Sequence, residues 1–217
     1  MNNLHTALNT FNTHATRLGL IGNGLTALIT DPVLGKHENV VSIYIESLYP
    51  NIMTNYNLGS VQPLFSNYLK ELRMELAVLK QRRANGEYNE LAELYSETKI
   101  AINSAYGLIC NPESPYYCAL ASNLVRKYAN KLLDSVCFYA NSIMADSVIY
   151  ADLDTVYVKL DGNVLPVKLA EDITNYLNQV APTFGDCFNP KFNVSVDTEY
   201  SEIEFTGKKR FTGKIKD

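Results

Sequence analysis

The chain has 217 residues, 47% of them hydrophobic and 19% charged, and 19 lysines and arginines against 23 acidic residues leave a net charge of −4. This is a globular composition, in a length of one large domain or one and a half small ones, and not a disordered or fibrous one. The acidic balance excludes a small, uniformly basic nucleic-acid module, which binds by neutralising phosphates, but not a nucleic-acid enzyme, whose metal-binding carboxylates also count as negative. No apolar run is long enough to span a membrane. Residues 1–12 lack the basic and apolar parts of a signal peptide, so an intracellular setting is expected. Cys110, Cys118, Cys137 and Cys187 form no CxxC pair and lie far in sequence from His5, His14 and His37. Buried packing thiols are expected of them rather than a zinc site.

Along the chain, Gly22 and Gly24 mark a turn in a mixed first stretch. The β-branched run 39–45 predicts a strand that ends at Tyr49-Pro50, since proline cannot donate to a sheet ladder. Leu64, Tyr68, Leu72, Leu76 and Leu79 recur at helical spacing over 63–83, with Lys70, Arg73, Lys80, Arg82 and Arg83 beside them. Asn85-Gly86 is a turn signal. A second helix is predicted from about Glu90 to Tyr106, with Gly107 near its end. The two read as an antiparallel hairpin. Residues 120–144 predict one long helix, and 147–158 predict a β-hairpin around the acidic turn Asp152-Leu153-Asp154. A helix over 169–180, two strand-like runs over 193–205 and a basic tail from Gly207 complete an α+β order.

In an extended strand, residues two apart share a face. Asp152 and Asp154 would then repel each other, and burying both is costly without a cation. A divalent ion such as Mg²⁺ relieves that cost. Alone, such a pair reads as a solvated acidic turn. Three other segments change the weighing: Ser47-Leu48-Tyr49-Pro50-Asn51-Ile52, Lys99-Ile100-Ala101-Ile102-Asn103-Ser104-Ala105-Tyr106-Gly107, and Lys208-Lys209-Arg210-Phe211. With Tyr150-Ala151-Asp152-Leu153-Asp154, these four segments, in this order and spacing, resemble the motifs of the family B, alpha-like DNA polymerases. They correspond to motifs A, B and C and to the K-K-R-Y element.

The resemblance implies a palm of residues 1–61 and 108–217, an antiparallel sheet backed by helices, with two-helix fingers at 62–107. It implies template-directed addition of a dNTP to a primer 3′-OH with two Mg²⁺ ions, Asp152 and Asp154 being catalytic metal ligands. Nucleotide contacts fall on Ser47, Leu48, Tyr49, Lys99, Asn103, Tyr106 and Gly107, with Arg73 and Lys80 in a looser match where Arg82 or Arg83 could stand instead. Tyr49 matches the residue that excludes a 2′-OH. Contacts to primer-template DNA fall on Lys208, Lys209, Arg210 and Phe211. Exonuclease and thumb domains are expected on other chains or in a longer protein, as in a split gene, a fragment or a compact viral replicase.

One departure bears on chemistry. The motif A aspartate position holds Tyr44. A phenol with a pKa near 10 is a poor Mg²⁺ ligand at neutral pH. Glu46 is two residues on, about one strand repeat away, roughly 6–7 Å, which is too far for a direct replacement. Ala151, Leu153 and Phe211 are milder departures, as is Val125-Arg126-Lys127-Tyr128-Ala129, which lacks the family's T-x-x-G-R. The sequence therefore supports an enzyme part of impaired activity. The alternative is a catalytically inactive pseudo-polymerase serving as a DNA- or nucleotide-binding or structural module. Another palm-fold polymerase, such as a reverse transcriptase, fits the S-L-Y-P and N-S-x-Y-G segments less well.

Overall fold

The β-branched run from Val40 to Ile43 forms the heart of β1 (Gly35–Ile45), and its four residues are all but fully buried. Burial on both faces requires cover above and below the strand; its two edges are paired within a five-stranded antiparallel sheet in the order β2-β3-β1-β4-β5. The others are β2 (Val148–Asp152), β3 (Thr155–Lys159), β4 (Val194–Gly207) and β5 (Arg210–Ile215). The computed structural model describes residues 27–58, 63–86, 88–187 and 190–216; the turn expected at Gly22 and Gly24 lies outside them.

Three expectations are corrected. The strand stops at Ile45 rather than Tyr49, and Leu48–Asn55 is a helix, α1. Ser47 takes a left-handed φ of 44°, which breaks the strand. Pro50 fits the first helical turn, where a missing N–H costs nothing. The second hairpin helix, α3 (Tyr88–Cys110), runs through Gly107 instead of ending there, and its last turn is anchored by the fully buried Ile109. Residues 193–205 form one long strand rather than two, and the basic tail is itself a strand, β5.

By internal contact the chain falls into two compact units, one of residues 26–51 and 126–217, the other with its described part in 52–125. In the second, α2 (Pro63–Ala84) and α3 pack as a hairpin through a turn with Gly86 at φ 104°, a value that favours glycine. The buried side of α3 is Thr98, Ile102, Ala105 and Ile109, one residue per turn. Helix α4 (Ala119–Ile143) carries a buried row of Ala129, Leu132, Leu133, Val136 and Ala140.

In the sheet unit, α5 (Pro166–Val180) opens on a proline at its first turn and packs on β4 through Leu169, Ala170, Ile173 and Leu177. Each fully buried leucine or isoleucine contributes about 1.5–3 kcal/mol. Helices α4 and α5 meet where the Tyr139 and Tyr176 rings lie 4.8 Å apart. A second cluster joins Val40, Ile149, Tyr150, Ile203 and Phe205.

Candidate active site

Strand register brings the acidic turn and Tyr44 together. Asp152 is paired with Thr155, Thr155 with Tyr44, and Tyr44 with Ser195. Directly opposed residues share a face, so these four side chains form one row across β2, β3, β1 and β4. Within this row a phenol stands at Tyr44, one strand over from Thr155. In the adjacent row Tyr150 opposes Tyr157, and Tyr157 opposes Ser42. There β4 bulges by one residue, Asp197. The Asp197 carboxylate accepts hydrogen bonds from Ser42 Oγ at 3.1 Å and Thr198 Oγ1 at 3.2 Å.

The aspartate turn is held on two sides. Leu153 N–H donates to Leu28 O at 3.1 Å, and Thr30 N–H to Ala151 O at 3.0 Å, so residues 28–30 run along β2. On the other side Ile45 N–H donates to Asp154 O at 2.9 Å. Leu153 adopts φ 60°, a left-handed conformation that costs about 1–2 kcal/mol outside glycine. Such strain persists where surroundings over-determine it.

The two aspartates differ. Asp154 accepts a hydrogen bond from Thr155 Oγ1 at 3.0 Å. Burial pushes its carboxyl pKa up; the Thr155 hydroxyl opposes this, and the charges of Asp152 and Asp197 add to it. At Asp152, Oδ2 accepts from the Tyr150 hydroxyl at 3.2 Å and lies 3.6 Å from the Lys209 ammonium. Its Oδ1 is buried with no hydrogen-bond partner. Burial also raises the Tyr150 phenol, so it remains a donor. Glu46 reaches the far end of the row at Ser195. Strand β1 has ended, and its carboxylate accepts from Ser195 Oγ at 2.5 Å.

An orphaned carboxylate oxygen and a desolvated carboxylate suit a cation. The wider donor set does not suit two bridged Mg²⁺ ions, because Tyr44 offers no carboxylate and Asp152 already faces an ammonium. No group of three acidic, histidine or cysteine residues among the described ones could hold a metal.

The other predicted residues are distributed as follows. Ser47, Leu48 and Tyr49 lie at the start of α1, with Leu48 buried and Tyr49 half-buried. Lys99 and Asn103 are exposed one turn apart on α3, Tyr106 is half-buried, and Gly107 has open space where a Cβ would stand. Lys80 is exposed on α2, whereas Arg83 is stacked 4.2 Å over the Tyr95 ring. Arg73 lies on α2, and its side chain falls outside what the structure describes. In the β4–β5 turn, Lys208 pairs with Asp31 at 3.0 Å and Lys209 with Asp152. Arg210 is exposed, while Phe211 packs against Tyr157 and Phe205, with centroids 5.4 and 5.3 Å away. Sequence reasoning missed Tyr150, Asp197 and the pairing of Lys209. A tyrosine two residues before an aspartate on one strand face was the available signal for the first.

No family model matches the chain. It is 24% identical to DNA polymerase 2 of Aeropyrum pernix over 86% of this chain and 26% of that protein. It is 25% identical to a DNA polymerase of Archaeoglobus fulgidus over 88% of this chain and 26% of that one. The chain thus spans about a quarter of the length of these curated relatives. Among solved structures, the family B DNA polymerase of Pyrobaculum calidifontis matches with a TM-score of 0.67 and 23% identity, over 90% of this chain and 28% of that one. The chain is therefore similar to DNA polymerases over most of its length, and its α+β fold is that of a family B DNA polymerase. No helix among the described residues is long and apolar enough to cross a membrane.

Proposed function

We propose that the chain supplies the palm and fingers of a template-directed DNA polymerase acting inside the cell, with its own chemistry impaired by Tyr44. The observation that carries this reading is the row Asp152–Thr155–Tyr44–Ser195, in which a phenol occupies the position of the motif A carboxylate. In the reaction, a primer 3′-OH attacks the α-phosphate of a dNTP in line and pyrophosphate leaves. Mg²⁺, if Asp154 and Asp152 held it, would supply Lewis-acid chemistry at the primer hydroxyl and the phosphate.

Asp154 is the stronger ligand this chain offers, and Asp152 the weaker. Lys99 and Asn103 present an ammonium and an amide to the triphosphate, with Lys80 and Arg73 in support. Tyr106 and Gly107 floor the nascent base pair, and Tyr49 lies under the sugar. Ser47 and Leu48 offer backbone N–H groups. Lys208 and Arg210 meet the primer backbone. Exonuclease and thumb functions belong to other chains or other parts of a longer protein.

Primer extension, with those missing parts supplied in trans, tests the reading. The unaltered chain should remain at background, Tyr44→Asp should give a measurable rate, and Asp154→Ala in that background should abolish it. If the unaltered chain extends primers and Glu46→Ala stops it, impairment by Tyr44 is wrong. The contact of Lys209 with Asp152 favours a second reading, a pseudo-polymerase that binds DNA or nucleotide without catalysis. It predicts that Tyr44→Asp stays silent while primer-template binding persists.

A further inference from the structure

Three contacts tie the β4–β5 turn to the aspartate turn. The Lys209 backbone N–H donates to Tyr150 Oη at 3.1 Å. Tyr150 Oη donates in turn to Asp152 Oδ2 at 3.2 Å. The Lys209 ammonium lies 3.6 Å from that same oxygen. The ring closes through a phenol whose residue is 1% exposed and a carboxylate whose side chain is 18% exposed. Lys209 takes φ 58°, a region that non-glycine residues rarely adopt. That backbone geometry lets one residue both donate its N–H to Tyr150 and return its side chain to Asp152.

We propose that the Lys209 ammonium is the resident cation of the aspartate turn, compensating Asp152 where a divalent ion would otherwise be required. A largely buried carboxylate needs a counter-charge, and a tethered lysine supplies one without a dissociation equilibrium. The inference goes beyond the polymerase reading. It concerns charge compensation rather than catalysis, so its tests read stability and lysine reactivity. A silent primer-extension assay would not overturn it, because these tests read the ion pair itself.

Thermal unfolding with and without millimolar MnCl₂ or MgCl₂ is the first test. The unaltered chain should show no divalent-dependent change in Tm. Lys209→Met should melt lower in EDTA and recover when the ion is added, by roughly 3 °C at a ten-fold excess over its Kd. Lys209→Arg should behave like the unaltered chain, and adding Asp152→Asn to Lys209→Met should remove the recovery. Equal gains for the unaltered and Met chains overturn the proposal. So does a loss in Lys209→Met that no divalent ion restores. Should Lys209→Met not fold, the unaltered chain decides. Its rate of Lys209 acetylation, read by mass spectrometry, should not change with millimolar Mn²⁺. A faster rate would mean that the ion displaces the lysine, and would overturn the assignment.

Discussion

In the sheet unit, Asp152, Thr155, Tyr44 and Ser195 meet because four strands pair in one register, and residues far apart in sequence become neighbours. In the helical unit, Lys99 and Asn103 stand together because they are one turn apart on α3, exposed beside the buried row of Ile102 and Ile109. The first arrangement is fixed by burial and costs free energy wherever a charge is enclosed. The second is fixed by helix geometry alone and leaves its polar groups in water. Chemistry that needs sub-ångström placement therefore depends on the sheet, while the hairpin carries contacts that can be changed at little structural cost.

The largest expected effect tests the buried side. Tyr150→Ala removes a ring packed 5.3 Å from Phe205 and 5.7 Å from Tyr157. It should lower unfolding free energy by about 3–5 kcal/mol in urea denaturation. A loss below about 1 kcal/mol would show the sheet to be far softer than its burial indicates.

On the hairpin, Lys99→Ala should leave stability within about 0.5 kcal/mol. It should weaken dNTP binding, measured by titration calorimetry, roughly ten-fold, the scale of one charge-assisted contact. An unchanged dNTP affinity would remove Lys99 from the nucleotide site.

Asp154 separates burial from function. Its folded-state pKa is raised, chiefly by burial. Between the unfolded and folded values the native chain binds more protons, so stability falls as pH rises through that window. Above that window the ionised carboxylate is a net cost. Asp154→Asn keeps an acceptor for Thr155 and should raise Tm by a few degrees. The gain should fade as pH falls through the unfolded carboxyl's range and be gone by about pH 3, where both states are protonated. A gain that persists in acid would mean the charge is not its source.

The smallest effect falls on Gly107, which lies inside α3 with nothing within 4 Å of the place a methyl group would take. Gly107→Ala should stabilise the chain by about 0.5–1 kcal/mol through helix entropy. In the complemented Tyr44→Asp enzyme it should lower incorporation, because the methyl would meet the nascent base pair. Stabilisation with undiminished incorporation would leave Gly107 as an ordinary helical glycine.

Local pattern made much of this legible. The leucine spacing of α2, the Asn85-Gly86 turn and the β-rich runs around Asp152 and Asp154 all lie within a few residues of their own cause. The failures had two sources. Pro50 and Gly107 are breakers by composition, but their positions inside α1 and α3 suit them, because a first-turn proline and an anchored last turn cost little. Asp197 and Lys209 are set by long-range register. Nothing adjacent to Asp197 in sequence announces a bulge, and nothing near Lys209 announces Asp152. The four motifs and Tyr44 could be read only through the resemblance; periodicity placed Lys99 beside Asn103 but gave neither a role.

Strand β5 lies at the margin of the sheet, and all six of its residues are exposed. Lys214 is paired with Glu202 at 3.3 Å, and Lys216 N–H donates to Glu199 O at 2.9 Å just beyond the strand. A lysine-bearing outer strand discourages a second chain from adding to the ladder. Trimming the chain before Arg210 would turn β4 into the margin, with Ile203 and Phe205 deprived of cover and their strand's outward amides unpaired. Such a shortened protein should be prone to self-association, and light scattering as a function of concentration would reveal it.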